Sequence, residues 1–134
     1  MHTQRIIILA FSLIGIVSSF LPWFTTASLL GEIPVNGTDV DGWITLILFL
    51  VCIILSLFSN IKNPLIGHFF LVVLISSILA GIIAGANIYK YSNYQDNIFG
   101  VLIKEFVEVE IGIGIYLIIS SSILIPLTLF FYKK

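Results

Sequence analysis

Four long apolar runs of this 134-residue chain carry almost no charge, and all seven acidic residues fall in the two segments that would share one side of a membrane. The runs are Ile6 to Phe24, Trp43 to Ser59, Leu65 to Tyr89 and Ile111 to Tyr132, each near the roughly 20 residues a helix needs to cross a bilayer. With 59% hydrophobic and 10% charged residues and a mean hydropathy of +1.16, the chain has too few polar residues to cover a water-soluble globule containing such segments. The sequence therefore predicts an all-α membrane protein. A single domain over 1–134 is expected to form an antiparallel bundle of four transmembrane helices, about 6–24, 43–59, 65–89 and 111–132, with outer loops 25–42 and 90–110.

Insertion is favourable on simple arithmetic. The fourth run holds thirteen Leu, Ile, Val or Phe residues between Ile111 and Tyr132, together contributing roughly −4 to −8 kcal/mol at the centre of a helix, and its serines, glycines and Pro126 subtract from that without reversing it. The first run superficially resembles a cleavable signal peptide, with Arg5 before it and Thr25-Thr26-Ala27 after it. Its 19 residues exceed a signal core of roughly 7 to 15, so a retained anchor is expected.

Orientation follows from basic residues in short loops. Arg5, Lys62, Lys133 and Lys134 would lie on one side and only Lys90 and Lys104 on the other, which puts both termini in the cytoplasm by the positive-inside rule. The opposite face then holds Glu32, Asp39, Asp41, Asp96, Glu105, Glu108 and Glu110, a side-chain net of −5 outside against +4 inside. Trp23 and Trp43 bracket the first outer loop and are expected to anchor the membrane interface, with Tyr89, Tyr91 and Tyr94 doing likewise at the end of the third run. Ser59 to Pro64 permits only a tight turn, so the second and third runs are predicted neighbours.

A small extracellular β-sheet is expected from the loops. Asn36-Gly37 is a strong hairpin signal because both residues tolerate positive φ, and Pro34 beside it limits one strand to an edge. In Val107-Glu108-Val109-Glu110-Ile111-Gly112 the carboxylates alternate with branched apolar residues, the period of a half-buried strand that would add to the hairpin. Ile98, Val101, Leu102 and Phe106 recur at helical spacing and suggest a brief amphipathic helix.

Constellations for chemistry are sparse. Asp39-Val40-Asp41-Gly42 superficially resembles a calcium loop, but reading Asp39 and Asp41 as positions three and five places Gly37 at position one and Leu48 at position twelve, where Asp and Glu are needed. A solvated acidic loop is the simpler reading. His68 and Asn87 lie within the third run without an acidic residue in any run to relay protons. Two histidines on the inner side and acids that are all outside cannot assemble a nucleophilic set, so no catalytic residue is expected. Gly81 and Gly85 have the spacing that lets helix backbones approach and are predicted packing residues, and Pro126 should kink or break the fourth helix near its inner end. Cys52 lies mid-run, where a thiol acts as a small apolar group.

Leu21-Pro22-Trp23-Phe24, Asn36-Gly37, Gly42-Trp43 and Val107 to Gly114, in a chain of four spans with β-structure in its outer loops, resemble the claudin-like tetraspan proteins. The Trp-Gly-Leu-Trp pattern and paired loop cysteines of claudins are not present, so the likeness is one of topology. The Leu-Pro-Trp and Gly-Trp punctuation also looks like that of small prokaryotic four-helix membrane proteins, a class that implies no assigned activity.

The leading expectation is a non-enzymatic scaffold or interaction protein of the plasma (inner) membrane. It would present an acidic outer β-platform to a partner protein through Glu32, Asp39, Asp41, Glu108 and Glu110. One alternative is an oligomeric cation channel or transporter component, although the runs lack the intramembrane charges typical of ion pathways. Another is an immunity protein against a membrane-active toxin. Membrane lipid, a protein on the outer side and further copies of the chain are the expected partners, with no nucleic acid, metal or cofactor.

Overall fold

A computed structural model describes residues 1–28, 30–58, 60–94 and 107–132. In chain order the elements are α1 (Thr3–Phe20), β1 (Pro22–Ser28), β2 (Gly31–Asn36), a 3-10 turn (Gly37–Asp39), α2 (Gly42–Leu57), α3 (Gly67–Tyr94), β3 (Val107–Ile111) and α4 (Ile113–Phe131). The protein is mostly helical, with one small antiparallel sheet in the order β2-β1-β3. The amphipathic helix expected over Ile98 to Phe106 lies outside the described residues.

Length and composition suit α1, residues Gly67–Tyr91 of α3, and α4 to crossing a membrane. The other helix, α2, is equally apolar but has 16 residues, a rise of about 24 Å. Helix ends differ from the apolar runs for local reasons. Proline disfavours helical backbone in the residue before it, so α1 stops at Phe20 and Leu21 is extended with ψ 160°. Pro22, Trp23 and Phe24, read from the sequence as the end of a helix, instead open β1. Ile111 likewise closes β3, and α4 starts at Ile113. Pro126 lies inside α4, which continues to Phe131 without a break.

The hairpin is present, but its turn is elsewhere. Ser28 pairs with Gly31, so the chain reverses between them, and Gly31 takes the positive φ of 118° that the reversal requires. Asn36 instead ends β2 opposite Pro22, and Gly37 has no positive φ. Gly37 is needed for close packing: a Cβ there would run into the Trp23 indole and the Ser19 carbonyl. Pro34 falls in the edge strand β2, where its missing N–H is tolerated. The strand expected from Val107 to Gly112 joins β1 on the other side and ends at Ile111.

The four helices of the described residues close into a ring in which α1 packs on α2 and α4, and α3 packs on the same two. Ile8, Phe49, Cys52, Val73, Ala80, Ala84, Ile115, Ile118, Ile125 and Leu129 fill the interior. Close approach needs small residues: a Cβ on Gly15 would lie 2.6 Å from the Phe49 ring, and one on Gly114 would lie 2.8 Å from both the Ser18 carbonyl and the Trp23 ring.

Burial departs from the pattern of a water-soluble bundle, with many polar residues buried beside the apolar core and many large apolar residues on the outside. Gln4, Arg5, Ser12, Ser18, Ser19, Thr45, Ser56, Ser77, Asn87 and Ser121 are buried. Leu13, Val17 and Phe20 of α1, Ile47 and Ile54 of α2, Ile75 and Ile82 of α3, and Ile123, Phe130 and Phe131 of α4 are exposed. Several interior hydroxyls return to their own helix, as Ser18 Oγ does to the Ile14 carbonyl and Thr128 Oγ1 to that of Leu124.

At the end of the bundle away from the sheet, two side chains of α1 tie the other helices together. The Gln4 amide donates to the Leu129 carbonyl at 3.2 Å and accepts from the Leu65 N–H at 2.7 Å. Arg5, only 3% exposed, donates to the carbonyls of Ser56, Phe58 and Asn63 at 2.9, 2.8 and 2.7 Å. A guanidinium at the C-terminus of α2 also meets the negative end of that helix dipole.

Candidate functional site

The sheet covers one end of the bundle, and the Leu21-Pro22-Trp23 corner joins the two. The Leu21 carbonyl accepts from Gly37 N–H at 3.1 Å and the Trp23 carbonyl from Gly112 N–H at 2.7 Å, which pins the ends of β2 and β3 to the start of β1. Trp23 is fully buried, its indole N–H donating to the Ser18 carbonyl at 3.1 Å. A Cβ on Gly112 would strike the Pro22 carbonyl, so the strand-to-helix junction at β3 and α4 also depends on a residue without a side chain.

Strand register sorts the sheet into two faces. Phe24 pairs with Val35 and Ile111, and Thr26 with Ile33 and Val109. On this face Phe24 is buried, and Val35 and Val109 are partly buried against the core. Phe24 also stacks on Tyr91 of α3 with ring centroids 4.0 Å apart. The other face holds Glu32, Ala27 and the position of Glu108 in one row, and Pro34, Thr25 and Glu110 in the next. Glu32 and Glu110 are exposed there.

Central strand β1 separates Glu32 from the two acidic positions of β3. Ala27 separates the Glu32 and Glu108 backbone positions by two strand spacings, about 10 Å, where repulsion between unit charges in water is about 0.4 kcal/mol before salt screening. Glu108 and Glu110 lie two residues apart on β3, about 7 Å, where the same repulsion is about 0.6 kcal/mol; three acidic positions on one small face are therefore electrostatically inexpensive, and they leave that face with a single sign of charge.

The two aspartates belong to a different neighbourhood. Asp39 accepts the Asn36 N–H at 3.0 Å, closing the 3-10 turn. Asp41 holds the N-cap position of α2 without capping it, and its carboxylate instead accepts from the Asn87 amide of α3 at 3.0 Å. The five acids expected to meet a partner thus divide into a sheet set, Glu32, Glu108 and Glu110, and a set at the start of α2, Asp39 and Asp41.

The remaining expected residues are similarly divided. Trp43 is 55% exposed at the start of α2, whereas Trp23 is enclosed by protein. Gly81 faces α4, where an added Cβ would lie 2.5 Å from Ser122 Oγ; a Cβ added at Gly85 would meet no described atom beyond its own stretch of helix within 4 Å. Elsewhere, an open groove along α4 is lined by Leu124, Leu127, Thr128, Phe131 and Tyr132 and brings few polar groups together. Among the described residues no group of three or more His, Cys, Asp or Glu converges to hold a metal.

Sequence reasoning missed two sets of residues. Read from the sequence, Arg5 is only a charge that sets orientation and Gln4 is not singled out, although a Gln-Arg pair in the first turn of an apolar helix is a signal for buried donors. Nothing in the sequence connects Asn87 with Asp41, because the contact spans 46 residues and depends on how α2 and α3 align. Comparison with protein-family models, curated proteins and solved structures finds no match to this chain.

Proposed function

We propose that this protein is an integral membrane scaffold without enzymatic activity, which offers the acidic face of its sheet to a basic partner protein outside the cell. The observation that carries the reading is the two-sided sheet. Its apolar face, with Phe24, Val35 and Val109, packs on the bundle, while Glu32 and Glu110 are exposed on the other face. The apolar exterior of the helices, with serines, Thr45 and Asn87 buried between them, supports lipid as the solvent of the bundle, since such surfaces suit helices packed within hydrocarbon. On this reading the sheet-capped end is outside, both termini are cytoplasmic, and the layout is that of a claudin-like tetraspan protein.

A preformed acidic face steers a basic partner into docking, and the attraction weakens as salt rises. Cross-linking in native membranes tests this. The triple variant Glu32→Gln, Glu108→Gln, Glu110→Gln should insert at wild-type levels and recover markedly less cross-linked partner, with wild-type recovery itself falling at high ionic strength. Equal recovery by the triple variant and by the variant neutralising all five acids, including Asp39 and Asp41, would remove the acidic platform from the account.

A further inference from the structure

We infer that the open edge of β3 takes up an extended basic segment of the partner protein, which joins the sheet as a fourth, antiparallel strand. The inference rests on the acidic platform proposed above and names how a partner is held there, by backbone pairing as well as by charge.

The hydrogen-bonding phase of the sheet carries it. Gly112 N–H donates to the Trp23 carbonyl at 2.7 Å, and the register runs on from that pair without a shift, from Phe24 opposite Ile111 to Ser28 opposite Val107. Bonded and non-bonded pairs alternate in an antiparallel ladder. The backbone groups of Glu108 and Glu110 therefore point to β1, and those of Val107, Val109 and Ile111 point away from it. β3 is an edge strand, and among the described residues no backbone bond meets Val109 or Ile111 on that side.

The opposite edge is closed. Phe24, Thr26 and Ser28 turn their backbone groups from β3 towards Val35, Ile33 and Gly31 of β2, which leaves Glu32, Pro34 and Asn36 facing outwards. Pro34 has no N–H, and the Asn36 N–H is taken by Asp39 Oδ2 at 3.0 Å. Of the two edges, only that of β3 offers an unbroken run of donors and acceptors.

Charge selects the occupant. In an antiparallel addition the Val109 and Ile111 backbones make the bonds, and the residues opposite the Glu108 and Glu110 positions form the closer, non-hydrogen-bonded pairs, with Cα atoms about 4.5 Å apart. Lysine or arginine at alternate positions of the incoming strand meets those acids, and Glu110 is exposed to receive one. The intervening residues lie beside Val109, itself packed against the core, where apolar side chains fit. A second copy of β3 is a poor occupant: in this phase it sets odd-numbered residues opposite odd-numbered ones and glutamate opposite glutamate, and like charges directly opposite are destabilising.

The test uses the full-length protein in detergent micelles and a short fluorescent peptide that alternates lysine with valine. Two N-methylated versions separate strand pairing from charge. The valine amides would point at β3 and the lysine amides away from it. Methylating the valine amides should therefore weaken binding about tenfold or more, while methylating the lysine amides leaves it near that of the unmodified peptide. Binding should also slow amide hydrogen exchange at Val109 and Ile111, fast in the free protein, and leave Glu110, already bonded to β1, unchanged. Equal binding by the two methylated peptides, or slow exchange at Val109 and Ile111 before any peptide is added, would overturn strand addition and leave the acidic platform standing. Absence of binding by all three peptides would overturn both.

Discussion

At the residue scale, the side chains that matter most are polar groups in the interior and glycines at crossings. Arg5 satisfies three carbonyls where α2 ends and the following turn begins. Substituting Arg5→Leu leaves them without that donor in a dry environment, and a loss of about 3 kcal/mol in unfolding free energy is expected from denaturation in mixed micelles, with Arg5→Lys intermediate. Gly37→Ala should be as severe for a steric reason. Its Cβ would meet the Trp23 ring and the Ser19 carbonyl, and overpacking of that kind costs about 1–3 kcal/mol. Trp23 fluorescence and near-ultraviolet circular dichroism should change in that variant before helix content does. Neither role was legible beforehand: Arg5 looked like a topogenic charge, and Gly37 looked like a turn residue because Asn-Gly so often is one.

At the scale of elements, the helices were legible and their ends were not. Apolar length identifies a helix, but Pro22-Trp23-Phe24 is as apolar as the helix before it, and only the proline marks where α1 must stop. The alternation in Val107 to Ile111 made β3 readable, and Pro34 correctly suggested an edge strand. The reversal between Ser28 and Gly31 was silent because its residues are leucines, while the louder Asn36-Gly37 pair serves a 3-10 turn. Of the candidate site, the alternation disclosed two of the sheet acids. The Asp41–Asn87 contact was not readable because it needs the relative height of two helices. Helix packing gives a paired prediction. Gly81→Ala pushes on Ser122, whose hydroxyl already serves the Ile119 carbonyl, and should destabilise by about 1 kcal/mol or more. Gly85→Ala meets no described atom beyond its own stretch of helix within 4 Å and should be neutral or stabilising by up to about 1 kcal/mol through helix propensity. Thermal unfolding of both variants checks the pair; a shift of oligomeric state in Gly85→Ala would instead make that glycine part of a seam between copies.

For the whole molecule, one physical situation unites these features. A bundle that buries serine, threonine, asparagine and arginine beside its apolar core and leaves many leucines, isoleucines and phenylalanines outside is stable when its surroundings are apolar. Its charged residues are then confined to the ends, and the sheet gathers acids at one of them. Orientation decides whether that acidic face can meet a partner at all. The most direct test labels single cysteines, introduced into a Cys52→Ala background at Glu32, Glu110 or Lys62, with a membrane-impermeant maleimide on intact cells. The account predicts that Glu32→Cys and Glu110→Cys are labelled at once, and that Lys62→Cys is labelled only after permeabilisation. Labelling of Lys62→Cys in intact cells with protection of both sheet positions would contradict it.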